Sequence, residues 1–186
     1  MIFSPVEQTL VERVRQGEHR SFYKFIENYS SMAYRYALHL VQDPEKAYDI
    51  CSAAFLRTFS LIKNPPSTRM PFRTWFYRII TCCYLESMRK NQHSKFKLKS
   101  ILHSYQQKET LNVTKKISDN SLLMRISESL LTALNSLTDH QKIMVILSHS
   151  EKLESEEIAE ILGLPINTLK RRLDHVHLLL AKHWVA

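Results

Sequence analysis

The sequence predicts an all-α protein: two small helical domains joined by a flexible basic linker, the C-terminal one containing a helix-turn-helix. Only two glycines, Gly17 and Gly163, occur in 186 residues, and closely spaced hairpin signals are missing. Apolar residues recur at helical spacing on both sides of a stretch that has no sustained period. That stretch, from Arg89 to Lys116, holds eight Lys or Arg against one Glu. We therefore expect domains at 1–92 and 121–186 and a linker at 93–120.

Composition excludes several classes of protein. With 44% hydrophobic and 24% charged residues the chain is typical of a globular protein, and no apolar run is long enough for a membrane span or a secretory signal. We expect a cytoplasmic protein with no membrane insertion of its own and with Cys51, Cys82 and Cys83 as reduced thiols. Without a glycine-rich phosphate loop, a nucleophile elbow or metal-ligand spacing, we predict no enzyme activity, no cofactor and no metal site.

The N-terminal domain begins with an apolar helical stripe from Phe22 to Leu40. Asp43-Pro44 then caps and opens the next helix. The opposite face of that helix shows Asp49, Ser52, Ala53 and Leu56, a small and partly apolar set for a surface in solvent. Its buried face is expected to comprise Ala47, Ile50, Cys51, Ala54, Phe55, Thr58 and Ile62.

The segment KNPPSTRMP breaks this helix, and a further helix is predicted from about Phe72 to Arg89. It should bury Phe72, Phe76, Ile79, Ile80 and Cys83, with Arg73, Tyr77, Arg78 and Tyr84 on other faces. Aromatic rings stack on exposed bases while arginines follow the backbone, so this region is suited to single-stranded DNA. The alternative, that Trp75 is a core residue and the arginines only solubilise, stays open. The residues concerned are Arg69, Arg73, Trp75, Tyr77 and Arg78.

The C-terminal domain contains EEIAEILGLPINTLKRRL, from Glu156 to Leu173. Gly163 tolerates the positive φ of a helix end, Pro165 suits the first turn of the next helix, and Ala159 allows close helix approach. These features predict a helix-turn-helix, although a hairpin with a solvated basic face is the alternative. Upstream, Thr138 and Gln141 predict a capping box. The outward face of the second helix carries Asn167, Lys170, Arg171 and Asp174, flanked by Thr168 and Arg172.

Three segments in this order resemble the extracytoplasmic-function sigma factors of bacterial RNA polymerase. They are AYDICSAAFLRTF, PFRTWFYRII and LTDHQKIMVILSHSEKLESEEIAEILGLPINTLKRRL. The resemblance implies a first domain that binds core polymerase and opens the promoter at the −10 element. It implies a second domain that reads the −35 element, and an anti-sigma factor as a further partner.

The resemblance also assigns roles to individual residues. Ser52-Ala53 stand where the family usually has Gln-Glu, and Thr81-Cys82 stand where it usually has Arg-Asn. Two alternatives remain: a stand-alone helix-turn-helix regulator and a degenerate sigma-like protein. The implied −10 contacts are Lys63, Asn64, Ser67, Arg69, Arg73, Trp75, Tyr77 and Arg78; the −35 contacts are Asn167, Thr168, Lys170, Arg171 and Asp174; the core polymerase contacts are Asp49, Ser52, Ala53, Leu56 and Arg57.

The basic linker generates a first prediction. Replacing Lys95, Lys97 and Lys99 together with Gln should reduce the salt dependence of DNA or holoenzyme binding, because fewer counterions are released. Promoter choice should not change, since phosphate contacts carry no sequence information. Binding titrations over a range of salt concentrations measure both effects. An unchanged salt slope would show that the charges only keep the linker soluble.

Overall fold

A computed structural model describes residues 1–64, 70–90 and 133–184. The predicted all-α fold of two helical domains is confirmed. The expected linker at 93–120, together with Ser67 and Arg69, lies outside the described residues. The helices are α1 Pro5–Arg15, α2 Phe22–Val41, α3 Pro44–Ile62, α4 Phe72–Lys90, α5 Asp139–Val145, α6 Ser155–Leu162 and α7 Ile166–Trp184, with a 3-10 turn at His19–Ser21 and a π-helical turn at Ile146–Ser150.

Aromatic packing around Phe72 organises the N-terminal domain, in which α2, α3 and α4 pack on one another. The Phe72 ring lies 5.1 Å from Phe25 and from Tyr29, 5.6 Å from Phe3 and 5.9 Å from Phe76, between ring centroids. Such rings bury large apolar areas and add edge-to-face and stacked contacts. The first residue of α4 is thereby fixed against α2.

The predicted break between α2 and α3 is confirmed. Gln42 ends α2 in the left-handed region, with φ of 55°. The Asp43 carboxylate then accepts hydrogen bonds from the backbone N–H groups of Glu45 and Lys46, at 3.0 and 3.2 Å, while Pro44 opens α3. The buried face of α3 is the predicted one, except that Phe55 is half-buried.

A short backbone pairing fixes the entry into α4. The Ile2 N–H donates to the Met70 carbonyl at 3.0 Å, and the Phe72 N–H donates to the Ile2 carbonyl at 2.9 Å. Met70 is buried. The segment that precedes α1 therefore holds the residues directly before α4.

The local signals of the helix-turn-helix also act as predicted. Thr138 and Gln141 form the capping box of α5. Gly163 ends α6 with φ of 64°, a conformation that favours glycine. Helix α7 begins at Ile166, and the Leu169 N–H donates to the Pro165 carbonyl at 3.0 Å. Pro165 thus occupies the cap position, one residue before the predicted first turn.

A widened turn precedes α6. In the π-helical turn the Glu151 N–H donates to the Ile146 carbonyl, five residues earlier, at 3.0 Å. Lys152 follows in the left-handed region with φ of 52°, and Leu153 returns to the core. This geometry directs Glu151 out of the C-terminal domain and towards α2 and α4.

Two observations concern membranes and metals. Within residues 1–64, 70–90 and 133–184, no helix is both long and apolar enough to cross a bilayer. Over the same ranges, His, Cys, Asp and Glu side chains form no group of three or more that could hold a metal ion. Cys51, Cys82 and Cys83 are free thiols, and burial raises the pKa of Cys51 to about 12.

The packing of α7 generates a second prediction. Leu169 is fully buried, whereas Leu178 on the same helix is 65% exposed. Leu169→Ala should lower the free energy of unfolding by about 2–5 kcal/mol, because a cavity replaces the lost methyl groups. The matched control Leu178→Ala should change it by less than about 0.5 kcal/mol. Urea unfolding measures both, and equal losses would show that Leu169 does not anchor α7.

Candidate nucleic-acid and polymerase interfaces

The outward face of α7 is open to solvent. Four residues of this face are exposed and Thr168 is half-buried; the exposed ones are Asn167, Lys170, Arg171 and Asp174. The apolar residues at helical spacing on the other side, Leu169, Leu173 and Val176, are buried against α5 and α6. Helix α6 and the turn at Gly163 pack against the apolar side of α7. Its polar side therefore faces solvent as one continuous surface. A helix presented in this way fits a DNA major groove.

A cleft beside α7 extends this surface beyond the predicted residues. It has a volume of about 450 Å³ and lies between the start of α5 and the middle of α7. Arg171 and Arg172 line one wall, and Thr138, His140 and Gln141 line the other. The sequence indicates Thr138 and Gln141 only as a helix cap, and nothing in the local pattern shows that α5 faces α7.

The face of α3 predicted to meet polymerase is accessible. Leu56 is 41% exposed, Asp49 and Arg57 are exposed, and Ser52 and Ala53 are half-buried. An exposed leucine offers an apolar contact to a partner. The small side chains beside it leave room for the partner to approach closely.

Arg57 has an acidic neighbour on α4. Its guanidinium donates to the Glu86 carboxylate at 2.6 Å, with both side chains partly exposed. This hydrogen bond raises the pKa of Arg57. The pair ties α3 to α4 at the edge of the Leu56 face.

The residues predicted to hold single-stranded DNA divide into two groups. Arg73 and Arg78 are exposed, whereas Trp75 is only 5% exposed and packs 5.8 Å from the Phe72 ring. For Trp75 the structure agrees with the core alternative. Tyr77 is also buried, and the Arg73 guanidinium lies 5.8 Å from the centre of its ring.

The start of the loop before α4 is described only in part. Lys63 and Asn64 are exposed at the end of α3. The Lys63 ammonium lies 5.4 Å from the Phe59 ring centre, and its carbonyl accepts from Arg15 Nε at 3.1 Å. These contacts fix Lys63 at the end of α3, and Ser67 and Arg69 lie outside the described residues.

Tyr77 and Tyr84 are buried, and both contact the C-terminal domain, which packs on α4 through α6. The Tyr77 ring also lies 5.2 Å from the Tyr36 ring of α2, between ring centroids. Tyr77 Oη donates to Glu151 Oε2 at 2.6 Å, and Tyr84 Oη donates to Asp139 Oδ1 at 2.6 Å. Both tyrosines were expected on faces of α4 outside its core side. The structure binds both hydroxyl groups to the second domain, and the spacing within α4 does not reveal these bonds.

Two more contacts join the domains. Thr74 Oγ1 donates to Glu157 Oε1 at 3.0 Å. Arg35 on α2 donates to both carboxylate oxygens of Glu151, at 3.1 and 2.6 Å. These bonds raise the pKa of Arg35, and burial together with the bond to Glu151 raises that of Tyr77. Arg35, Glu151 and Glu157 were not singled out in the sequence because their partners are distant along the chain.

Thr81 explains one departure from the sigma-factor pattern. It is 3% exposed, lies 2.8 Å from the Tyr36 hydroxyl and donates to the Tyr77 carbonyl at 2.8 Å. A small hydroxyl side chain fills this position between α2 and α4. At Thr81 the chain therefore has an internal structural residue rather than a charged contact.

Two family models match, over ranges that together cover more than half of the chain. Sigma-70 region 2 matches residues 25–94, and Sigma-70, region 4 matches residues 127–175. The chain belongs to the sigma-70 family, in its extracytoplasmic-function group. The region 2 match contains most of α2 and all of α3 and α4, and the region 4 match contains α5, α6 and the first half of α7.

Sequence relatives belong to the same group. The extracytoplasmic-function sigma factor SigW of Bacillus subtilis is 24% identical over 170 residues, covering 88% of this chain and 88% of SigW. The sigma-E factor of Haemophilus influenzae is 23% identical over 170 residues, covering 90% of this chain and 89% of its own. The protein is a sigma factor that directs RNA polymerase to promoters and initiates transcription.

Solved structures share the fold. CnrH, in complex with the cytosolic domain of CnrY, has a TM-score of 0.63 at 15% identity, covering 95% of this sigma factor and 96% of CnrH. RpoE of Bartonella quintana, in complex with the anti-sigma factor NepR, has a TM-score of 0.60 at 17% identity, covering 90% and 98%. At such identities the likeness concerns the fold alone.

Proposed function

We propose that this sigma factor uses three separate surfaces: α3 for core polymerase, α4 with its preceding loop for the −10 element, and α7 for the −35 element. The observation that carries the proposal is the exposed polar face of α7, held by a buried apolar face inside the region 4 match. The proposed domains are 1–92 and 121–186, with 93–120 as the linker. A stand-alone helix-turn-helix regulator would not require the region 2 match.

The upstream contact is proposed for the exposed side of α7. Arginine and lysine side chains pair with guanine edges or phosphates, and asparagine pairs with adenine edges. His140 and Arg172 line the adjoining cleft, and we propose them as additional phosphate contacts beside the groove. The proposed residues are Asn167, Thr168, Lys170, Arg171 and Asp174.

The single-strand contact is proposed for the start of α4 and the loop before it. Exposed Arg73 and Arg78 support backbone contacts. The proposed residues are Lys63, Asn64, Ser67, Arg69, Arg73 and Arg78, whereas the buried Trp75 and Tyr77 support the helix that carries them.

The polymerase contact is proposed for the exposed face of α3. Leu56 supplies the apolar centre and Arg57, held by Glu86, supplies charge at the edge. Interfaces of this kind depend on a few buried anchors surrounded by polar contacts. The proposed residues are Asp49, Ser52, Ala53, Leu56 and Arg57.

Regulation is proposed to come from another protein. The two solved relatives described above were captured with the cytosolic domain of CnrY and with the anti-sigma factor NepR. We extend an anti-sigma partner to this chain, covering the Leu56 face or inserting between the domains. The proposed role is regulatory rather than catalytic, without a cofactor, and is carried out in the cytoplasm where polymerase acts.

The α7 surface generates a third prediction. Arg171→Ala should weaken binding to an upstream-element duplex by about 1–3 kcal/mol and relax preference at one base pair, because a bidentate contact to guanine is lost. The matched control is Arg13→Ala, which removes an equal charge from an exposed position on α1. Binding of the full chain to a panel of duplexes at fixed salt measures both.

Two results would contradict groove reading by Arg171. Equal weakening on every duplex would assign Arg171 to phosphate alone. Intact binding by both Arg171→Ala and Lys170→Ala, in variants that remain folded, would mean that α7 does not enter the groove and that the basic hairpin alternative is right.

The α3 surface generates a fourth prediction. Leu56→Arg should abolish co-elution with core polymerase, because a charge replaces the apolar centre of the contact. The control Val6→Arg places the same charge at a 66% exposed residue of α1 and should co-elute normally. Retained co-elution of a folded Leu56→Arg variant would exclude this face.

A further inference from the structure

Two histidine rings meet on the surface of the C-terminal domain. His149 lies in the π-helical turn, and His177 lies 28 residues further on, in α7. Their Nε2 atoms are 2.8 Å apart, and their ring centroids are 5.0 Å apart. Both side chains are exposed to solvent. One ring therefore donates a hydrogen bond to the other, and none of the three proposed surfaces uses either ring.

The backbone on both sides holds the two rings in place. Ile146 and Leu147 of the π-helical turn are buried, and so is Val176, the residue before His177. Each histidine thus projects from a segment that is anchored in the core of the domain. π-Helical turns are also frequent at functional sites. The two imidazoles meet because two ordered elements present them, which is the arrangement that a binding site requires.

The two Nε2 atoms have the spacing of neighbouring ligands around one metal ion. Bonds from imidazole nitrogen to such ions measure about 2.0–2.1 Å. Two nitrogens at this distance are about 2.9 Å apart across the right angle of a square-planar or octahedral ion, and about 3.3 Å apart around a tetrahedral one. The observed 2.8 Å is closer to the first value. Small rotations of the exposed rings would aim both lone pairs at one ion.

The chemistry of the pair also suits a metal ion. Partial burial and the neighbouring His177 lower the pKa of His149, so this ring is neutral at neutral pH and keeps a free lone pair. In the described part of the chain, His, Cys, Asp and Glu side chains form no group of three or more that could hold a metal. The protein therefore offers two nitrogens and leaves the other coordination positions to solvent, unlike a closed structural zinc site.

We propose that His149 and His177 form a surface site for a late first-row divalent metal ion of the nickel(II)–copper(II) class. On binding, the proton between the two Nε2 atoms moves through solvent to the other nitrogen of its ring, so that both lone pairs face the ion. The ion then ties the π-helical turn to α7 and stabilises the folded C-terminal domain. The sequence predicts no metal site because the two residues are too far apart to show a ligand spacing.

Nickel(II), added to the untagged full chain, tests the site. Isothermal titration calorimetry measures the affinity, and circular dichroism measures the thermal midpoint. His149→Ala removes one ligand. His177→Gln keeps a side chain that can hydrogen-bond to His149 but replaces the imidazole with an amide, which is a poor ligand for these ions. The control variant is His175→Ala, at an exposed position of the same helix, and the control ion is magnesium(II), which prefers oxygen ligands.

Nickel(II) at about ten times its dissociation constant should raise the thermal midpoint of the parent by about 5 °C or more. His149→Ala and His177→Gln should each weaken nickel(II) binding by at least about tenfold and lose that rise, because one nitrogen ligand remains. His175→Ala should bind nickel(II) within about twofold of the parent. Magnesium(II) should leave every midpoint unchanged.

Three results would overturn the site. A parent protein that neither binds nickel(II) nor gains thermal stability from it has no such site. Equal loss of binding in His175→Ala would assign the ion to other histidines. Parental affinity for nickel(II) in a folded His177→Gln variant would leave the two rings with their hydrogen bond alone.

Discussion

The buried carboxylate of Glu151 is the constraint that connects the two domains. Taking a carboxylate out of water costs several kcal/mol unless charged or hydroxyl donors replace the lost solvent. Here the donors come from α2 and α4, so Arg35 and Tyr77 must be held in fixed positions by their own helices. The aromatic packing around Phe72 provides that rigidity at the start of α4. Domain docking therefore depends on the order of the N-terminal core.

The helices and their ends could be predicted because their signals are local. Asp43-Pro44, the Thr138 capping box and Gly163 each act within one turn of the chain. The polar and apolar faces of α7 follow from spacing alone. Docking of the domains could not be predicted in this way, because Arg35 and Glu151 are 116 residues apart.

The candidate site was predicted less completely than the fold. Exposure of Arg73, Arg78 and Leu56 followed from helical faces, but the bond from Tyr77 to Glu151 depends on a second domain. One signal was present: hydroxyl side chains recur along α4 at helical spacing, including Thr81, which lies beside the Tyr36 hydroxyl. A polar stripe without charge suits a surface that is covered by protein rather than by water.

The π-helical turn has a consequence for insertions and deletions. A π turn amounts to an α-helix with one additional residue. Deleting one residue from Ile146–Ser150 would restore regular α-helical bonding and leave the following side chain on the same side of the axis, because the wider turn already accommodates the additional residue. A deletion within a regular α-helix would instead rotate the following side chain by about 100° around the helix axis. The π turn thus allows this segment to lose one residue while Glu151 still faces Arg35 and the domains stay docked.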